Sequence, residues 1–486
     1  MWQNRIIVTF PIWKSGIPAT LATIPRNPSV ARGNRSPRFT PYPNWSWHAN
    51  NNCYGITSVF RIAIDPCGRL WVMDSGVTDV AISPRQTCPP QLLIFDLKTD
   101  EIMLRYRLPD DQVKQDSLFT NIVVDIRDGQ CDDAYAYITD SWRYALIVYS
   151  LQKDQSWRIV NNLFYPDPLA SRYTLNGITW RWYDGVFGIA LSPVDPDTKD
   201  RSLIYHPMSS FREFVVPVSY IRNKTLADLN PDAFQPLGEP RAIRNGQSAA
   251  QAMDRRGVLF QNLVTQDSVW CWNSQQPYGY KPELLGVVAH DNVTLNFPND
   301  LKIDNELQQN VWVLSNRLPQ YLYATLDYND YNFRILTART DKAVQGTMCD
   351  PNYDIVEQEL PLGQNRGSSF GFPFWTEVHE RRHHLYASLI KKLYYTLHQL
   401  WQSKIHILIF ILNFYVFLLS LSKEEALFNF HYYYYYYYYY SKWNIMFLSR
   451  SCNNCYKKEK YVSKNNALFC ESDVYWTVRH CDSWRI

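Results

Sequence analysis

One unit recurs along the chain as far as about Asp350. It consists of a strand-like run, a polar hairpin turn, a second strand closing on Asp, Ser or Asn, and then a third strand, a turn and a fourth. SVFRIAI, DPCGR and LWVMDSG (58–76) precede QLLIFDL and IMLRYRL; NIVVDI, DGQCDD and AYAYITDSW (121–142) precede ALIVYSL and WRIV. NGITWRW and VFGIALS (176–192) precede SLIYHP and FREFVV; SAAQAM, DRRG and VLFQNL (248–263) precede SVWCWN. NDLKI, DNELQQ and NVWVLSN (299–316) precede YLYATLD and NFRILT, and a partial sixth unit, RIIVTFPIW (5–13) followed by ATLATI, stands at the front. The second strands are taken to start at Arg5, Leu70, Ala136, Val186, Val258 and Val311, so the spacings are 65, 66, 50, 72 and 53. A four-stranded sheet of this size cannot bury both faces alone, so such units stack side by side around an axis. The predicted fold is all-β, a six-bladed β-propeller whose first blade is incomplete because the chain starts at its second strand.

Composition divides the chain at nearly the point where the repeat stops. All 18 Gly and 28 Pro lie at or before Pro373, and residues 380–486 carry 14 basic and 7 acidic side chains while the body is net acidic. The overall charge of +3 therefore belongs to the tail, and a nucleic-acid role argued from charge is excluded for the body. The expected organisation is a propeller over 1–350, an extended segment over 351–379 and a low-complexity tail over 380–486. In that tail nine tyrosines run from Tyr432 to Tyr440. The uncharged stretch 405–422 reaches the minimum length of a membrane span, with Lys404 and Lys423 at its ends, but His406 and Asn413 interrupt it. Translated AT-rich non-coding sequence accounts for this composition, and a membrane anchor is the competing reading. Cys452 and Cys455 open like a zinc site, but Cys470 and Cys481 do not supply the second close pair.

Six cysteines in the body, Cys53, Cys67, Cys88, Cys131, Cys271 and Cys349, suit an oxidising compartment. The expected pairs are Cys53–Cys131, linking neighbouring blades, Cys67–Cys88, closing a loop, and Cys271–Cys349. Sequons at Asn44, Asn223 and Asn292 are candidate glycosylation sites; a fourth, at Asn34, has Pro after its Ser. The start of the chain carries no signal-peptide pattern.

Residues entering the innermost strands of a propeller surround the mouth of its channel. By register these are Ser58, Asn121, Asn176, Ser248, Asn299 and Asp300. Such residues also begin strands simply because they cap turns, so a polar ligand funnel and a set of turn caps are both open readings. Trp180, Phe297 and Phe333 are the aromatic neighbours available for stacking on a ligand. Asp74, Asp140, Ser192, Ser315 and Asn316 close the second strands. A carboxylate there can serve as counter-ion or base, or can accept backbone N–H groups, which is the reading favoured for Asp74. His48, His206, His290 and His379 share no motif, and GxSxG, HExxH, P-loop and GxGxxG patterns are absent. No cofactor is implied. His290, a few residues before FPNDLKID, can supply a base near neutral pH, and a surface-loop histidine is the favoured competing reading.

Taken in order, NRIIVTFPIWKSGIPATLATI, PYPNW, DPCGRLWVMDSG, CPPQLLIFDL, CDDAYAYITDSW, FYPDPL, FGIALSP, FPNDLKID, NVWVLSNRLP and YNFRI resemble the Yellow and major royal jelly protein family of insects. The resemblance covers residues 2–350. It implies a secreted six-bladed propeller, preceded by a signal peptide and several dozen further residues, with a role in melanin formation and cuticle pigmentation. It also implies a small-molecule ligand of catecholamine, indole or quinone type, since some relatives speed dopachrome conversion and some bind biogenic amines in the channel. A tautomerase and a non-catalytic amine carrier would use the same groups. A third class is a calcium-dependent lactonase-like hydrolase, because the Asn-Gly and Asn-Asp strand starts also resemble calcium positions in gluconolactonase-type propellers; Asn121, Asn176, Asn299 and Asp300 offer it a single acid.

Overall fold

Aspartates that end the inner strands organise the turns that follow. Asp65 accepts the backbone N–H groups of Cys67 and Arg69 at 2.9 and 3.0 Å, and its other oxygen takes the Arg69 Nε at 2.6 Å and the indole N–H of Trp71 at 2.7 Å. Asp304 repeats the device on Asn310 N and the Trp312 indole, both at 2.9 Å, and Asp254 repeats its backbone half on Arg256 N and Val258 N. Hydrogen bonds to a charged acceptor are worth about 1.5–3 kcal/mol each. One residue type therefore sets both the turn and the register of the strand after it.

The computed structural model describes residues 1–26, 36–49, 53–242, 244–276 and 279–352. Contacts divide the chain into Met1–Leu360 and Pro361–Ile486. The features expected in the tail (the apolar stretch 405–422, the tyrosine run, the four further cysteines) and the sequon at Asn34 lie outside the described residues. Among the described residues no helix is long and apolar enough to cross a membrane.

Six antiparallel sheets form the blades of a six-bladed β-propeller. Blade one has three strands, Arg5–Thr9, Leu21–Pro25 and Thr40–Pro41. Blade two runs outward through Val59–Ile64, Arg69–Asp74, Gln91–Asp96 and Glu101–Arg107, and blade three through Phe119–Asp125, Tyr135–Asp140, Ala145–Ser150 and Gln155–Val160. Blade four comprises Val186–Leu191, Ser202–Pro207, Phe214–Pro217 and Gln235–Pro236; blade five comprises Ser248–Met253, Val258–Leu263, Ser268–Asn273 and Gly286–His290. Blade six has Pro298–Ile303, Asn310–Asn316 and Phe333–Arg339. Consecutive inner strands of blades two to six touch one another. Blade one joins both neighbours: Thr9 Oγ1 donates to Phe60 O at 2.7 Å, and Arg26 pairs with Glu306 and lies over Trp312.

The apolar core is distributed between blades. Trp71, Met73 and Ile94 of blade two interlock with Ile122, Ile138 and Tyr149 of blade three, and Tyr137 and Val148 of blade three with Ile189, Tyr205 and Val216 of blade four. Fully burying a side chain of this kind contributes about 1.5–3 kcal/mol. A blade exposes these faces unless both neighbours are present.

Three expectations need correction. The fourth unit was framed one strand early. Its inner strand is Val186–Leu191, while Ile178–Arg181 pairs with Arg172–Leu175 in a separate hairpin turning on Asn176 and Gly177, both at positive φ. With second strands at Arg5, Arg69, Tyr135, Ser202, Val258 and Asn310 the uneven spacings around that unit even out. YLYATLD is not a strand, because Leu318–Tyr323 is a helix with Pro319 in its first turn. The disulfides are Cys53–Cys88, Cys67–Cys131 and Cys271–Cys349, so only the third expected pair is present. Cys67 precedes and Cys88 follows the six-residue strand Arg69–Asp74, which separates them by about 20 Å, far beyond disulfide reach. Cys67 instead meets Cys131 at the equivalent turn of blade three.

Cys67–Cys131 closes a loop with a sequence separation of 64, and chain entropy puts its loss at about 4 kcal/mol. Cys67→Ser/Cys131→Ser is expected to lower stability by that order in guanidinium unfolding. Non-reducing peptide maps of the wild type should show Cys53 joined to Cys88; a Cys67–Cys88 peptide would contradict the arrangement.

Candidate functional site

The channel holds a buried cation. Arg61, on the inner strand of blade two and 4% exposed, donates to Ala249 O at 2.9 Å and Asn299 O at 2.6 Å, pairs with Asp300 at 3.2 Å, and lies over the Phe187 ring. Burial pulls its pKa down and Asp300 opposes that shift. Asp300 also accepts Leu301 N, and Asn121 donates its amide to Phe187 O at 2.9 Å on the neighbouring strand. Asn121, Asn299 and Asp300 are thus at the ring's centre, with their polar groups engaged in holding inner strands together. Burial likewise lowers the pKa of Lys302, two residues along the strand from Asp300.

The acids that close the second strands are fully occupied. Asp74 is 0% exposed and accepts from Ser58 N, Thr57 N, Gly76 N and Gln91 Nε2; burial raises its pKa against these four donors. Gly76 is required beside it: φ is +67°, and a Cβ would run into the backbone carbonyl of Cys88. Asp140 accepts from Ser117 Oγ, Leu118 N, Arg143 N and Arg158. Asn316 Oδ1 caps Leu318 N, and Ser315 donates to Thr294 O. Ser192 ends the inner strand of blade four rather than its second strand, at the opposite end of the ring. These residues hold the rim in place.

Where the inner strands begin, two groups of aromatic side chains, linked through Asp184 on one side and Lys14 on the other, make a circuit at the channel mouth. Trp13 meets Phe60 edge-on at 5.4 Å between ring centres, and Trp142 packs in the same cluster. Trp142 donates its indole N–H to Asp184 Oδ1 at 3.0 Å. Two residues before Asp184, Trp182 donates to the Tyr323 hydroxyl at 2.7 Å. Trp180 stacks between Tyr173 and Tyr323, at 5.4 and 6.0 Å, with Phe297 at 6.2 Å. The Lys14 ammonium returns the circuit to the start of the chain, donating to Tyr321 O at 2.6 Å and lying against the Tyr321 ring.

Asp184 is the carboxylate of that circuit. It is half-buried, it accepts one hydrogen bond, and burial raises its pKa from 3.8 to about 6 against the lowering effect of the Trp142 N–H. Its backbone is fixed by Ser209 N donating to its carbonyl, and Gly185 follows because a Cβ there would strike the Tyr144 ring and Phe164 O. A carboxylate balanced near pH 6 among π faces can hold an ammonium or accept a proton from carbon. Below the circuit the Trp180 indole N–H and the Ser248 hydroxyl are buried without a partner among the described residues.

Of the residues singled out from sequence, Trp180, Phe297 and Ser248 lie at this mouth and Asn121, Asn299 and Asp300 lie below it. Asn176 does not: it sits exposed at the tip of its hairpin, because the strand it begins is not an inner one. This also breaks up the proposed calcium set. Phe333, 59% exposed, starts the outer strand of blade six, beyond the second strand and away from the inner one. His290 is exposed at the end of the outermost strand of blade five. Asp184, Trp142, Trp182 and Tyr323 went unnoticed; in the correct frame Asp184 stands just ahead of an inner strand.

Because the folded pKa of Asp184 exceeds its unfolded value, the folded state binds the extra proton, and stability falls as pH rises from about 4 to about 6. Asp184→Asn, which keeps an acceptor for Trp142, is expected to be more stable than wild type at pH 7 by about 1–3 kcal/mol. The difference should vanish below pH 4 in thermal unfolding; a variant less stable at pH 7 would refute the assignment.

The sequence profile described as major royal jelly protein matches residues 57–349. The dopaminechrome tautomerase of Drosophila melanogaster is 44% identical over 360 residues, covering 73% of this chain and 76% of the relative. Protein yellow of Drosophila yakuba is 40% identical over 373 residues, covering 74% and 67%. Protein yellow of Drosophila subobscura is 38% identical over 390 residues, covering 78% and 66%. With its repeat, its ring of blades and these similarities in agreement over one stretch of sequence, the chain belongs to the major royal jelly protein family.

Proposed function

We infer that the protein binds an aminochrome, the indoline quinone formed from a catecholamine, within the aromatic circuit at the channel mouth. It isomerises this ligand to a dihydroxyindole in the course of melanin and cuticle pigmentation. The observation that carries this reading is the gathering of Trp13, Trp142, Trp182 and Tyr323 at the mouth, with the half-buried Asp184 carboxylate bonded to Trp142. A flat, electron-poor bicyclic quinone gains from stacking on electron-rich indole and phenol rings. The free Trp180 N–H and Ser248 hydroxyl supply donors for its oxygens, and Asn121, Asn299 and Asp300 form the polar floor beneath. The similarity to a protein named dopaminechrome tautomerase supports the same substrate class.

Three disulfides in the body support a secreted protein. The sequon residues support glycosylation: Asn44, Asn223 and Asn292 are all exposed, and Asn44 and Asn223 use only their side-chain oxygens in capping the turns that follow. A carrier for aromatic amines is the second reading, favoured by the same carboxylate flanked by rings, since an ammonium suits that setting as well as a quinone does.

Dopaminechrome and dopachrome are the probes that separate the two. Conversion above the spontaneous rate, followed as loss of quinone absorbance, is the expected result. Calorimetric binding of dopamine or serotonin with no acceleration would establish the carrier and overturn the enzyme. Trp182→Ala, which opens the circuit, should weaken aminochrome binding about 10-fold or more, in line with the 1–3 kcal/mol typical of stacking on an aromatic platform.

A further inference from the structure

The aminochrome reading leaves open which group moves the proton, and the mouth contains an acid beside its aromatic rings, Asp184. We propose that Asp184 is the general base of the isomerisation, taking a proton from a saturated carbon of the five-membered ring and returning it to a quinone oxygen. This rests on the reading given under the proposed function and adds a residue and a direction of proton flow to it.

The geometry supports this role in three ways. Asp184 accepts the Trp142 N–H and stands two residues after Trp182, whose indole bonds Tyr323, so a ring seated between these groups would present its edge to the carboxylate. Asp184 has spare capacity: one oxygen accepts the Trp142 N–H and, among the described residues, no hydrogen bond engages the other and no cation is paired with it, whereas Asp74 and Asp140 are each held by four donors. The titratable groups facing it are the phenols of Tyr144, Tyr173 and Tyr323, whose pKa values burial raises, with the Asp184 charge adding to the shift. Arg143 and Arg241, the charges felt by Tyr144 and Tyr173, are engaged by Asp116 and Glu213. An acid near pKa 6 is ionised at neutral pH yet remains basic enough to accept a carbon-bound proton, and such matching is what general-base catalysis requires.

The step balances without any other reactant. The carboxylate takes one C–H proton, the C–H electron pair becomes a ring double bond, and the displaced π electrons reach a quinone oxygen, which takes up a proton. A second transfer from the adjacent saturated carbon, to the other oxygen, completes the dihydroxyindole. Substrate and product are isomers, so no oxidant or reductant is consumed. The Trp180 N–H is buried without an acceptor among the described residues, and a quinone oxygen that reached it would gain a donor for its developing negative charge.

The test is the pH dependence of aminochrome conversion in wild type, Asp184→Asn, Asp184→Glu and Trp142→Phe, with binding of 5,6-dihydroxyindole followed by tryptophan fluorescence. Wild-type kcat should rise with pH through about 6 and then level. Asp184→Asn should lose on the order of 10²-fold or more in kcat, lose the pH limb, and still bind the product; Asp184→Glu should keep the limb. Trp142→Phe removes the donor that lowers the Asp184 pKa, so its limb should move to higher pH. An active wild type whose Asp184→Asn variant converts aminochrome equally fast, or keeps the limb, overturns the role of Asp184 and leaves the proposed function standing. A wild type that neither converts aminochrome nor binds the product overturns both.

Discussion

Arg61 is the interaction on which closure of the ring depends. A guanidinium withdrawn from water costs several kcal/mol unless its charge and donors are met, and those of Arg61 are met only by other blades. Ala249 O comes from blade five, Asn299 O and Asp300 from blade six, and the Phe187 face from blade four. No local segment satisfies it, so the charge favours the complete ring over any partial stack. The cores between blades share this logic. Trp71 and Tyr149 belong to different sheets and bury each other, so stability resides at the joints between sheets.

With Arg61, Asp300 and the amide of Asn121 engaged in holding inner strands together, the adaptable part of the axis is its mouth. Elements outside the propeller repeat build that mouth: the segment around Trp13, the hairpin of Arg172–Leu175 and Ile178–Arg181, and the helix Leu318–Tyr323. The blades fix where these elements stand. Their aromatic side chains then surround Asp184, a carboxylate that the folded state holds at a cost in stability at neutral pH. Acids held by several donors, such as Asp65, Asp74 and Asp140, serve the scaffold. Asp184, with a single donor among the described residues and aromatic neighbours, is where chemistry is available.

Much of the fold was legible because propeller repeats impose a period that local chemistry reveals. The turn aspartate followed by a tryptophan, DPCGRLW and DNELQQNVW, marks blades two and six, and the structure shows why: one carboxylate satisfies the turn and the indole together. The fourth unit was misframed through a signal that was present. Asn176-Gly177 is a two-residue hairpin dipeptide whose residues both take positive φ, so it ends one strand and starts its antiparallel partner. Reading it as the entry to an inner strand displaced Asn176 into the site and concealed Asp184. The disulfide partners were missed because sequence proximity suggested Cys67 with Cys88, whereas an extended strand carries its two ends to opposite faces of the ring. Phe333 opens the strand in NFRILT, the last of its unit in sequence as in the structure, so its place on an outer strand was legible from the repeat.

The central claim is that ligand chemistry takes place at the aromatic mouth, against Asp184. The most direct measurement is a crystal structure of the protein with 5,6-dihydroxyindole bound. The account predicts the indole ring stacked among Trp142, Trp182 and Tyr323, with a carbon of its five-membered ring adjacent to the Asp184 carboxylate and a hydroxyl directed at the Trp180 N–H. A ligand seated at the opposite end of the channel, or bound on the outer strands with the mouth empty, would contradict it.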